Sequence, residues 1–256
     1  MALDLNAIKN KLNALNNQDN KKSNTWKPVE GKQRVRIVPY VHRKENPFLE
    51  LYFHYDITKR SSLSPITHGN PDPIVEFAEK LKRTGDKEDW LMGRKLEPKM
   101  RTYVPVIIRG KESEGVKFWG FGKTIYTELL QIISDPDYGD ITDLKNGRDI
   151  EVTFTPAEGG GFAKTAILVK PNQIPATDDK SVAELILNQP DINEIFPEPS
   201  YAELETALKA WMNPENADSD VATSAPAQTM DDVASEKPHT TAKTDVGAAF
   251  DDLFNN

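Results

Sequence analysis

Gln33-Arg34-Val35-Arg36-Ile37-Val38 alternates long polar side chains with β-branched ones. A period of two is the pattern of a strand with one apolar face and one charged face. The period returns at Asp149-Ile150-Glu151-Val152-Thr153-Phe154. Outward from these two stretches, the pattern predicts strands at 50–57, 102–109 and 116–121, and a hairpin of 149–155 with 163–170 around Gly159-Gly160-Gly161. A helix is predicted over 74–82, where Ile74, Phe77, Ala78 and Leu81 share a face, and another over about 124–134, with Ile125, Leu129, Ile132 and Ile133 apolar. Several short strands with a helix before the last pair predict a mostly β fold with peripheral helices. An OB-type Greek-key barrel fits best, and a β-sandwich is the alternative. Ser181-Val182-Ala183-Glu184 and Ser200-Tyr201-Ala202-Glu203 read as capping boxes and predict two more helices on the outside of the barrel.

Charge divides the chain. Residues 1–174 carry 28 Lys+Arg against 23 Asp+Glu, while residues 175–256 carry 4 against 17, so the net of −8 averages a basic front with an acidic end. The densest basic part, residues 1–125, holds 24 against 15. After Pro214 the count is 9 acidic against 2 basic, with Ser, Thr, Ala and Pro filling most of the rest. Such a segment cannot bury enough apolar area to offset chain entropy, so a disordered acidic tail is expected over 214–256. Its tip sets Phe250, Leu253 and Phe254 beside Asp251 and Asp252, which suits docking on partner proteins. At the other end, Leu5, Ile8, Leu12 and Leu15 line one face of a short helix that also carries Lys9. So short a helix is marginal alone, and its stripe packs either on its own core or on another molecule. The expected division is 1–22 for self-association, 23–213 for the core and 214–256 for the tail.

The chain has no cysteine, which excludes disulfides, thiolate catalysis and Cys-based zinc sites, and suits a reducing cytoplasm. No apolar run approaches ~18 residues, and the first residues lack a secretory pattern. Gly120-Phe121-Gly122-Lys123-Thr124 resembles the end of a phosphate-binding loop, but the Gly required five positions before the Gly-Lys pair is Lys117. Lys117-Phe118-Trp119 also does not read as the buried strand such a loop follows. His42, His54, His68 and His239 show no metal-type spacing, and no compact carboxylate set supports a metal nuclease. No catalytic role is therefore expected.

The positive signal is the interleaving of aromatic and basic residues. Arg34, Arg36, Tyr40, His42, Arg43 and Lys44 form one cluster, and Tyr52, Phe53, Tyr55, Lys59 and Arg60 a second. Lys99, Arg101 and Tyr103 form a third, and Phe118, Trp119, Phe121 and Lys123 a fourth. Single-stranded nucleic acid asks for both groups: cations follow phosphates and flat rings stack on unpaired bases. The expected DNA contacts are Arg34, Arg36, Tyr40, Arg43, Tyr52, Tyr55, Lys59, Arg60, Lys99, Arg101, Tyr103, Trp119, Phe121 and Lys123. Stacking near Trp119 would quench its fluorescence. Alternate aromatics on one strand point to opposite faces, so some must be core.

Glu114-Gly115-Val116-Lys117-Phe118-Trp119-Gly120-Phe121-Gly122-Lys123 is similar to the basic–aromatic strand of T-even-phage-type single-stranded DNA-binding proteins, the helix-destabilising proteins of phage replication. Lys99-Met100-Arg101-Thr102-Tyr103 resembles that family's Lys/Arg-Ser/Thr element. Thr67-His68-Gly69 resembles the start of its metal-binding insertion, Ser200-Tyr201-Ala202-Glu203-Leu204 its late helix, and Phe250-Asp251-Asp252-Leu253 its acidic tip. The likeness extends across most of the chain. It implies an OB-type core that binds single-stranded DNA cooperatively in replication, recombination and repair. It also implies self-association through the N-terminus, an acidic arm that recruits replication and recombination proteins, and a place in the host-cell cytoplasm. The family's insertion holds zinc through Cys and His. Here Ser64, Ile74 and Phe77 stand at the corresponding Cys positions, so neither zinc nor any cofactor is expected. The family's basic Ser/Thr cluster near its start is also replaced, with Lys9, Lys11, Lys21 and Lys22 supplying the cations. The alternative function is an acidic protein-interaction adaptor that binds no nucleic acid.

Overall fold

The computed structural model describes residues 24–43, 45–57, 60–159 and 161–212. The N-terminal stripe of Leu5, Ile8, Lys9, Leu12 and Leu15 and the tail residues 250–254 lie outside the described residues, as does Lys59. The chain forms two units, Met1–Phe48 with Tyr103–Asp191, and Leu49–Thr102 with Ile192–Asn256. The described strands are β1 (Thr25–Trp26), β2 (Gly31–Ile37), β3 (Leu49–His54), β4 (Ser62–Leu63), β5 (Lys99–Ile108), β6 (Lys117–Phe121), β7 (Arg148–Thr155) and β8 (Lys164–Gln173). The described α-helices are α1 (Pro73–Arg83), α2 (Lys87–Leu96), α3 (Lys123–Ser134), α4 (Lys180–Leu187), α5 (Ile192–Ile195) and α6 (Tyr201–Met212). All eight strands belong to one mixed sheet.

In the first unit the strand path is β1-β6-β5-β2-β7-β8. β1 runs parallel to β6, whereas β2 pairs antiparallel with β5 and β7, and β7 with β8. The path has two ends, so the expected closed barrel is replaced by an open sheet. Alternation in β2 does what the sequence asks. Val35 and Ile37 enter a core with Val104, Val106, Trp119 and Ile150, against which α3 sets Ile125 and Leu129.

The second face of β2 departs from expectation, because part of it is covered. Val38 and Ile107 pack with Ala176, Val182 and Ile186. Arg36 stands opposite Ile107 and its side chain is 0% exposed. Its Nη1 lies 3.1 Å from Asp149 Oδ1, and Arg109 reaches the same carboxylate through Nε at 2.9 Å and Nη2 at 2.8 Å. Arg36 also donates to the Ile174 carbonyl, and Arg109 to that of Ala176 at 2.6 Å. A buried charge is tolerated when it is both paired and hydrogen-bonded, and here the pairing fixes residues 174–176 across the sheet. Burial lowers the Arg36 pKa, with Asp149 pulling in the opposite direction. α4 then begins at Lys180 with Asp179 as its cap, accepting from both the Ser181 N–H and hydroxyl at 2.8 Å. The expected Ser181 cap is thus replaced by its neighbour two residues earlier.

In the second unit β3 pairs with β4 and β5. The predicted apolar face of α1 is buried: Ile74, Phe77, Ala78 and Leu81 pack with Leu96 of α2 and with Leu204 and Leu208 of α6. The second capping box forms as predicted. The Ser200 N–H donates to Glu203 Oε2 at 2.7 Å, and the Glu203 N–H donates to Ser200 Oγ at 3.3 Å. Asp72 caps α1, accepting from the N–H groups of Ile74 at 2.9 Å and Val75 at 3.3 Å. Its other oxygen accepts from Ser64 Oγ at 2.5 Å and lies 2.8 Å from His54 Nε2. Burial alone would raise the Asp72 pKa, but His54, Ser64 and the Val75 N–H outweigh it and hold it below the ordinary value. A depressed carboxylate contributes stability that is present above the unfolded pKa and lost as pH falls through the folded one. Urea unfolding at stepped pH is therefore expected to show stability falling below about pH 4, and Asp72→Asn should flatten that acid limb. An unchanged limb would contradict this role.

Candidate nucleic-acid interface

Burial sorts the thirteen expected DNA contacts among the described residues. Four rings belong to the first unit's interior. Trp119 is 1% exposed and Tyr103 2%, and Tyr40 and Phe121 are also buried. Trp119 meets Trp26 and Phe121 edge to face at centroid distances of 5.6 Å and 4.7 Å. Tyr40 meets Phe118 at 5.8 Å and donates its hydroxyl to Asp191 at 3.1 Å. Tyr103 lies against Gly120, where a Cβ would come within 2.6 Å of its ring, so only glycine fits. Bases cannot stack on rings closed on both sides. We therefore correct Tyr40, Tyr103, Trp119 and Phe121 from stacking to packing, and Arg36 from phosphate contact to the buried pair with Asp149. Quenching at Trp119 is no longer expected, because the exposed indole is Trp90, with the Arg94 guanidinium 5.2 Å from its ring centre.

The remaining contacts stay at the surface or half-buried. Arg34 is exposed on β2. Arg43 is exposed but bonded within its own turn, through Nε to the Asn46 carbonyl at 3.4 Å and through Nη2 to that of Phe48. Lys123 is exposed at the first position of α3, whose N-cap Gly122 offers no side chain and whose first turn carries no acid. A helix start of this kind favours anions. β6 is buried and leads straight into α3, contrary to the expectation that it was no such strand; a strand-to-helix junction without the intervening loop still makes no phosphate cradle.

In the second unit, two clusters far apart in sequence converge. Lys99 Nζ lies 5.9 Å from the centre of the Tyr55 ring. Lys99 and Arg101 share a face of β5, two positions apart. Tyr55 is half-buried, and burial holds its hydroxyl above the ordinary pKa against the opposing charge of Arg101. Arg101 Nε is buried with no hydrogen-bond partner among the described residues. Tyr52 is half-buried, with its N–H bonded to Thr67 Oγ1 at 3.0 Å, and Arg60 is exposed. The group presents a ring edge-bound by packing and two cations beside it, which is the chemistry a stacked base and its phosphate require.

Sequence reading missed Phe162, 79% exposed on the β7–β8 hairpin, and Trp90 on α2. Phe162 has a cation near it only at Lys164, and Trp90, flanked by Lys87 and Arg94, also stands beside Glu88 and Asp89, which blurs the basic signal. The zinc expected of the resembled family does not fit the residues present. Ile74 and Phe77 are apolar core, Ser64 donates to Asp72, and no group of three His, Cys, Asp or Glu among the described residues suits a metal ion. No helix of the described residues is long and apolar enough to cross a membrane. Comparison with protein-family models and with curated proteins finds no match for this chain.

Proposed function

We propose that the protein binds single-stranded DNA without sequence preference and without catalysing a reaction. The observation that carries this is the convergence of half-buried Tyr55, exposed Lys99 and partly buried Arg101 in the second unit. Two features of the first unit support it. The path β6-β5-β2-β7-β8, with α3 between β6 and β7, follows the strand order of an OB-type core opened between β8 and β6. OB-type cores bind oligonucleotides with their sheet face and hairpin loops, and the β7–β8 hairpin carries the exposed Phe162. On this reading the protein acts in phage replication, recombination and repair, with the N-terminal stripe giving cooperativity along DNA and the acidic tail meeting replication proteins.

The test is fluorescence anisotropy of labelled oligo-dT titrated with the full chain. Binding to oligo-dT well above binding to duplex of equal length is expected; no binding at low salt would favour the protein-interaction adaptor. Residues 214–256 carry 9 acidic against 2 basic side chains and compete with phosphate for the same cations. Their removal is expected to tighten oligo-dT binding, most at low salt where screening is weakest. Equal affinity of the two chains across a salt series would refute the competition.

A further inference from the structure

Residues 174–176 and α4 cover part of the sheet face that carries Arg36. Register places Lys32 opposite Thr153 and Arg34 opposite Glu151. On the next strand Thr153 faces Ala166, and Thr155 faces Lys164. Lys170 shares the parity of Lys164 and so lies on the same face. Beyond the buried Arg36–Asp149 pair, four cations share this face with one carboxylate, Glu151. Glu151 is held between Lys32 at 3.3 Å and Lys170 at 2.7 Å, and those two cations keep its pKa below the ordinary value. Arg34 and Lys164 are exposed, and neither has an ion-pair partner among the described residues. Lys32 is 70% exposed at its side chain, and the floor between the cations is formed by Thr153, Ala166 and the exposed Leu168 opposite Glu151. Glu30 and Glu158 lie beyond the strand ends.

We infer that this face is a second contact surface for the phosphate backbone of single-stranded DNA, in addition to the Tyr55 cluster. The inference rests on the DNA-binding reading. Charge complementarity selects the occupant: cations two residues apart on a strand sit about 7 Å apart, a spacing at which separate phosphates are met one by one. With no ring between them, the face adds ionic contacts and no base stacking.

The test is the salt dependence of oligo-dT binding by the full chain and by Arg34→Gln/Lys164→Gln. Each lost phosphate contact removes about 0.7 from the slope of log Kobs against log salt for a single strand. The double variant is expected to bind more weakly at low salt, with a slope shallower by about 1.4 and an unchanged melting temperature. Arg34→Glu/Lys164→Glu should weaken binding further. Unchanged slope and affinity in both variants would overturn the inference and leave the Tyr55 site standing. Tighter binding by either variant would mean that the face holds an acidic segment, and overturns it too. Failure of the unaltered chain to bind oligo-dT overturns this inference and the reading beneath it together.

Discussion

Arg36→Ala is expected to lower the unfolding free energy of the first unit by about 3 kcal/mol, the lower part of the range for breaking a buried ion pair. The pair is closed from water, with Arg36 at 0% and Asp149 at 3% side-chain exposure. Truncation leaves Asp149 with Arg109 alone and frees the Ile174 carbonyl. Because Arg109 stays, the loss should fall short of a fully orphaned charge. Arg36→Met keeps the volume and should cost less than Arg36→Ala. Chemical denaturation of the three chains checks this. A loss below about 1 kcal/mol, the size expected of an exposed pair, would show that Arg36 is not the post that fixes residues 174–176.

Tyr55→Ala is expected to weaken oligo-dT binding by about 1–3 kcal/mol, roughly five-fold to more than a hundred-fold, the range for removing one stacked base. Tyr55→Phe should restore most of the affinity, since stacking uses the ring and not the hydroxyl. Lys99→Gln acts differently: it removes about one phosphate contact and shortens the salt slope by about 0.7. If Tyr55 only packs against Phe53, which it meets at 6.4 Å, alanine would lower the melting temperature while leaving affinity per folded molecule unchanged.

Periodicity made much of the fold legible. The alternation at 33–38 gave β2 and its apolar face, and the spacing of Ile74, Phe77, Ala78 and Leu81 gave α1. The box at Ser200 and Glu203 is local chemistry, and it forms as written. β1 has two residues and no period to show. α2 is capped by Asp86, whose carboxylate accepts from Glu88 N–H at 2.6 Å, but its exposed Trp90 and Leu91 blur the apolar stripe. The site was harder to read, for a physical reason. Alternation says that two residues lie on opposite faces, not which face another segment will cover. Arg36 looked like a surface cation because its partner Asp149 is 113 residues away. Trp119 and Tyr103 looked like stacking platforms because cations stand near them in the chain, which says nothing of how deeply a ring is buried. Lys32, Lys164 and Lys170 went unnoticed because they lie far apart in the sequence, although the strands gather them onto one face.

The central claim is that a chain of net charge −8 carries a cationic, aromatic surface for single strands. The most direct measurement is the affinity of the full chain for oligo-dT and for duplex DNA of the same length, followed from about 50 mM to about 200 mM salt. The account predicts preference for the single strand and a linear fall of log affinity with log salt, with a slope near −0.7 for each phosphate met. Absence of single-strand binding at the lowest salt, or a tighter grip on duplex throughout, would contradict it.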